Sequence, residues 1–140
     1  MSFRKEKKFK LTIFECNTLK SDLLEKGMLE LFSPRQINSL YYDTENLDMF
    51  SHSEEGVLPR KKIRIRWYKS SKESNIETKF SSIEGRFKKT HPFIADGNKK
   101  FPRILSDKDY GTLVPSLLIS YQREYYTFNQ MRLTFDSSIT

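Results

Sequence analysis

Polar and apolar positions alternate with a period of two through much of this chain, and two is the period of a β-strand. The clearest case runs from Arg60 to Tyr68, where Arg60, Lys62, Arg64 and Arg66 share one parity and Ile63, Ile65 and Trp67 the other. In a strand, one face therefore carries a row of cations and the opposite face is apolar. The same alternation groups Arg4, Glu6, Lys8 and Lys10 near the start, Glu77 with Lys79, and Arg86 with Lys88. It also groups Tyr121, Arg123 and Tyr125, and then Arg132, Thr134 and Asp136. One such strand is ordinarily a half-exposed strand with its charges in solvent. Five or six of them predict a mainly β (α+β) fold, an antiparallel barrel with a cationic lumen.

The pattern sets the expected elements. A first strand is expected from Phe3 to Phe14, then a short helix capped by Asn17 or Thr18, with Leu19, Leu23 and Leu24 as its buried stripe and Gly27 as its stop. Gln36 to Asp43 reads as the second strand, followed by a turn or short helix capped by Thr44 with Leu47 and Phe50 inward, and by a polar loop from Ser51 to Pro59. After the cationic strand, Lys69 to Ser74 has hairpin composition, Ile76 to Phe80 and Gly85 to Thr90 read as strands, and Ser81 to Glu84 as the turn between them. From His91 to Pro115 the periodicity fades into a surface connection marked by Pro92, Gly97, Pro102, Gly111 and Pro115. Ser116 to Phe128 and Met131 to Phe135 form the last hairpin around Asn129 and Gln130.

Composition narrows the chemistry. A chain of 140 residues, 36% hydrophobic and 14% aromatic, suits one domain with a core. The formal charge of +7 favours anionic partners without separating nucleic acid, lipid headgroups and phosphorylated small molecules. Arginine on the cationic strand suits phosphate, because its planar fork donates two parallel hydrogen bonds and stays charged. The single cysteine, Cys16, rules out an intramolecular disulfide and reads as a small strand-end hydrophobe in a reducing compartment. His52 and His91 lack metal-ligand spacing. With no apolar run of membrane-spanning length and no signal-like start, the expected location is cytoplasmic.

Six motifs in order carry a family likeness: residues 4–9, 39–44, 62–68, 76–80, 120–125 and 131–136. Together the set resembles the VTC domain, the polyphosphate polymerase branch of the triphosphate tunnel metalloenzymes, a group that includes CYTH-type phosphohydrolases. The resemblance implies an antiparallel β-tunnel that binds the triphosphate of ATP together with a divalent metal, manganese or magnesium, and passes the terminal phosphoryl group to inorganic polyphosphate. Position by position, Lys8, Arg64, Arg66, Lys79, Arg123 and Arg132 match the tunnel cations, with Lys62 and Lys88 as additions and Tyr121 as the tyrosine before a tunnel arginine. Glu6 and Glu77, each two residues from a tunnel lysine, are either metal-side carboxylates or partners of lysines on neighbouring strands.

The likeness breaks off after Asp136. The family continues with further strands, one bearing a metal-binding glutamate and a later lysine, and the His91–Pro115 connection is short for it. The tunnel is therefore expected to stay open at one side, with an unpaired edge prone to association and little turnover of ATP. Hydrolysis in the same tunnel and noncatalytic binding of polyphosphate or nucleotide are the alternatives. Nucleic-acid binding is disfavoured because Trp67 and Tyr126 lie on the parity opposite the cations, although Tyr121 and Tyr125 share it. No P-loop, Gly-rich phosphate fingerprint or nucleophile–histidine arrangement occurs.

Overall fold

The computed structural model describes residues 5–69, 73–93 and 101–140. Their elements are α1 (Ile13–Glu25), β1 (Leu29–Asp43), α2 (Asp48–Glu55), β2 (Arg60–Tyr68), β3 (Ser74–Ser82), β4 (Gly85–Phe93), β5 (Leu105–Asp107), β6 (Gly111–Phe128) and β7 (Met131–Ser137). Every pairing is antiparallel, in the order β4-β3-β2-β1-β6-β5, with β7 on β6. The sheet curls strongly into a half-barrel open on one side, which matches the open antiparallel barrel expected from the sequence. Among the described residues, β4 and β7 each keep one edge without a strand partner.

The two faces of the sheet differ as the parity of β2 requires. Ile63 and Ile65 turn outward and are buried with Tyr42, Met49 and Leu113, and Leu40, Trp67, Ile76, Phe93, Phe101, Leu105 and Tyr110 pack around them. Helix α2 and the segment from Phe101 to Leu113 cover this outer face, and Trp67 lies 4.6 Å from Phe101, ring to ring. A second, smaller core under α1 joins Met28, Tyr126 and Phe135, with Cys16, Leu23, Phe128 and Leu133 against them. Lys20 of α1 pairs with Glu124 of β6 beside it. On the opposite, inner face Ile37, Ser39, Arg64 and Glu77 are also buried, although no helix among the described residues covers them. The curl of the sheet around them accounts for that burial.

Several elements depart from the sequence pattern. Residues 5–12 are not a strand: they run exposed and unpaired into α1, so alternation there lacks the neighbouring strand that would use it. Cys16 accordingly sits on a helix and not at a strand end. Arg4 and Phe3, Gly97, and the hairpin positions 70–72 lie outside the described residues. Helix α1 is capped by Thr12, not Asn17 or Thr18: Thr12 Oγ1 accepts from Glu15 N at 3.1 Å while Glu15 Oε1 accepts from Thr12 N at 3.0 Å, a reciprocal capping box. Of the expected stripe, Leu23 packs inward but Leu19 and Leu24 remain exposed. The helix does stop before Gly27, whose φ of 105° suits glycine.

Strand β1 starts at Leu29 instead of Gln36. Residues 51–55, read as loop, continue α2. Its buried residue is Met49, whereas Leu47 and Phe50 are exposed. Thr44 Oγ1 accepts from Asp48 N at 3.0 Å, but most of the capping comes from Asp43, whose carboxylate accepts from Thr44 N, Met49 N and Phe50 N at 2.7, 2.9 and 3.0 Å. The expected surface connection contains β5 and the first turns of β6, which pair Leu105 with Leu113. Asn129 and Gln130 both take positive φ, 48° and 64°, as a two-residue hairpin turn requires.

Candidate functional site

Register brings the inner-face side chains into rungs across the sheet. Tyr41 of β1, Arg64 of β2, Glu77 of β3 and Thr90 of β4 stand opposite one another. On one side of this rung follow Ser39, Arg66 and Asn75. On its other side Lys62, Lys79 and Lys88 form a row of three lysines on adjacent strands. Directly opposed like charges destabilise a sheet, so this row weakens the fold unless an anion joins it.

The one carboxylate amid these groups is already surrounded. Glu77, 5% exposed, accepts from Arg64 Nη2 at 2.9 Å, with Lys88 Nζ at 3.6 Å and Arg66 Nε at 3.9 Å. Burial works to raise its pKa, yet Arg64, Arg66 and Lys88 together hold it below the ordinary carboxylate value. Arg64 Nη1 donates to Tyr41 Oη at 2.9 Å, while its buried Nε has no hydrogen-bond partner among the described residues. Lys79 as a residue is exposed, but its ammonium is partly desolvated on the sheet. That desolvation, and then the charges of Arg64, Arg66 and Lys8, push its pKa down to about 8 against the pull of Glu77. An anion placed beside it would reverse the shift.

Arg66 carries the cluster across the trough. Its Nη2 donates to Tyr121 Oη on β6 at 3.1 Å, and its Nε to Ser39 Oγ at 3.4 Å. The Arg123 guanidinium lies 5.2 Å from the Tyr121 ring centre and is held by Asp136 of β7, Nε to Oδ1 at 2.7 Å and Nη2 to Oδ2 at 2.9 Å. Arg35 stands opposite Arg123 on β1. Its guanidinium sits 4.1 Å from the Tyr68 ring centre and 4.9 Å from that of Tyr125, whose hydroxyl accepts from it at 3.0 and 3.2 Å.

The structure thus brings Arg64, Arg66, Lys79, Lys88, Glu77 and Tyr121 together, sets Lys62 in the lysine rung, and places Lys8 where its charge is felt at Lys79. Arg123 belongs to the same face with its fork occupied. Arg132 pairs in register with Thr127, four residues along β6 from Arg123 and so roughly 13 Å away along the strand. Glu6 lies exposed on the segment before α1, 3.8 Å from Lys8. Arg35, Ser39, Tyr41 and Tyr68 are inner-face groups not singled out from the sequence, whereas Asp136 stands on the face that its alternation with Arg132 and Thr134 predicts. Applying the parity of Ile37 to Arg35, Ser39 and Tyr41 would have found three of them.

As a metal site the residues do not fit. Among those described, no group of three His, Cys, Asp or Glu side chains could hold an ion. Glu77 has spent its oxygens on Arg64, Arg66 and Lys88, and Asp136 on Arg123. What the arrangement offers is a trough in which guanidinium forks, ammonium groups and tyrosine hydroxyls outweigh the carboxylates that touch them, a chemistry suited to several adjoining phosphates. The family model of the VTC domain matches residues 3–140. No curated protein matches the chain.

Proposed function

Because this chain belongs to the VTC domain family, whose members are related to polyphosphate polymerases, we propose that its inner face binds a linear oligophosphate, either the triphosphate of ATP or inorganic polyphosphate. The observation that carries this reading is the rung of Lys62, Lys79 and Lys88 beside Arg64 and Arg66, with Glu77 the carboxylate that balances them among the described residues. A chain of phosphates supplies negative charge at intervals along the trough, which one carboxylate cannot do.

The reaction such a site serves is phosphoryl transfer. A terminal oxygen of polyphosphate attacks the terminal phosphorus of ATP, the bond to the bridging oxygen breaks, and ADP departs with that oxygen. In this reading Arg64 and Arg66 hold the nonbridging oxygens, and Lys79 and Lys88 offset charge on them. In phosphoryl transfer most of the work is such positioning and electrostatics. The manganese or magnesium ion implied by the family likeness finds no donor set among the described residues. That same observation favours a second reading, an oligophosphate-binding module without turnover.

Calorimetry with sodium tripolyphosphate tests binding. Arg66→Ala should weaken it by about 1.5–3 kcal/mol, the range for hydrogen bonds to a charged group. Unchanged affinity would remove the inner face from the site. Following ADP release from ATP in the presence of a polyphosphate primer separates the two readings: primer-dependent ADP supports transfer, and binding without ADP supports the module.

A further inference from the structure

Among the described residues of the sheet, two carboxylates touch the cations of the inner face, and they are held differently. Glu77 is buried among three cations, and its side chain is 6% exposed. Asp136 has one partner, Arg123, and the pair lies open, with side-chain exposures of 33% and 26%. Its two oxygens take Nε and Nη2 of the guanidinium, the two donors with which an arginine grips a phosphate. Arg123 is otherwise well placed to reach a ligand. It lies over Tyr121, which in turn accepts from Arg66, and it stands opposite Arg35.

We propose that Asp136 is an internal stand-in for phosphate, holding Arg123 until an oligophosphate long enough to reach that point binds and takes its place. The proposal rests on the oligophosphate-binding reading of the same face. Exchange is favourable because a phosphate with more than one charge brings a stronger partner to the same fork than a single carboxylate does. Asp136 thus costs only those anions that reach Arg123, while short anions that end at Arg64 and Arg66 neither meet that cost nor gain the arginine. The contact sets how much a longer chain gains over a short one. Monophosphate and pyrophosphate are left to the first cluster, and longer chains gain Arg123.

Calorimetric titration of the whole chain with pyrophosphate, tripolyphosphate and a longer polyphosphate tests this, using wild type, Asp136→Asn, Arg123→Gln and the double variant. Asp136→Asn should bind the longer polyphosphate roughly threefold to fivefold tighter, the scale of an exposed ion pair released. The gain should vanish when Arg123 is also replaced, and pyrophosphate should respond little. Unchanged or weaker binding of the longer chain by Asp136→Asn overturns the proposal while leaving the binding face intact. No binding of any of these anions by wild type overturns the reading beneath it as well. Should Asp136→Asn fold poorly, the Arg123 Nε–H resonance of wild type decides. A shift on adding polyphosphate but not pyrophosphate is expected, and no shift with either contradicts the exchange.

Discussion

Strand β2 buries a cation on each of its faces, and the two are treated in opposite ways. Outward, Lys61 meets two carboxylates: Asp107 at 3.0 Å and Asp109 at 2.5 Å. Asp107 is fixed in turn by the backbone N–H groups of Asp109 and Tyr110, and its pKa is lowered although burial opposes this. The charge there is more than balanced, and Lys61 ties β2 to the loop between β5 and β6. Inward, Arg64 shares its one carboxylate with Arg66 and Lys88, and Lys79 is left short of counter-charge. A buried cation with its own anions is a brace, whereas several cations around one anion attract a further anion. Counting cations along the sequence cannot separate these cases, because the carboxylates that decide them arrive from other strands.

The largest expected effect comes from removing the shared anion. Glu77→Gln leaves Arg64 buried without its charge partner, which should cost about 3–5 kcal/mol in urea unfolding. Tripolyphosphate should restore much of that loss, because it supplies the missing negative charge. The depressed pKa of Glu77 gives the pH sense: its stabilisation is full above the ordinary carboxylate value of 4.5 and is lost as pH falls through the lower folded value. That acid-sensitive component should be absent from Glu77→Gln. A variant as unstable with tripolyphosphate as without it would break the contrast between the two faces.

Lys61→Met should cost less, about 1–3 kcal/mol, because Asp107 keeps its backbone donors after the ammonium is gone. Here tripolyphosphate should not compensate, and its affinity should match wild type. An affinity loss comparable with that of Arg66→Ala would mean that the outer side also takes anions. That outcome would draw attention to the cavity of about 640 Å³ beside Lys61, lined in part by Arg60, Phe80, Phe87, Lys108 and Tyr110.

The smallest effect is a pH dependence at Lys79. Its folded pKa of about 8 lies below the ordinary 10.5, so unfolding takes up a proton between these values and stability should rise with pH across that window. Bound phosphate favours the charged ammonium, so tripolyphosphate affinity should fall as pH climbs through about 8. Lys79→Gln should flatten both trends. Equal slopes in the variant would assign them to other groups.

The inner face was legible where a strand has an apolar partner face to fix its phase. Ile63 and Ile65 had to turn to the core, which put Arg64 and Arg66 on the other side. Arg35 escaped because the register shift between Phe32 and Arg35 interrupts the alternation, and the strand was read from Gln36 onward. Residues 5–12 misled for the reverse reason, since their alternation meets no partner strand. The pairing of Asp136 with Arg123 follows from the two-residue turn at Asn129 and Gln130, which sets position 123 opposite 136, so it was within reach of the hairpin expected from the sequence. Helix α2 buries Met49 alone, too little for a stripe, and so Ser51 to Glu55 read as polar loop.

The central claim is that the two faces of β2 differ in their appetite for anions, and one titration addresses it directly. Tripolyphosphate added to isotopically labelled protein should shift the side-chain N–H signals of Arg64 and Arg66 and the side-chain signals of Lys79 and Lys88, and leave those of Lys61 and Lys108 in place. Shifts confined to Lys61 and Lys108, or spread evenly over both faces, would contradict the account.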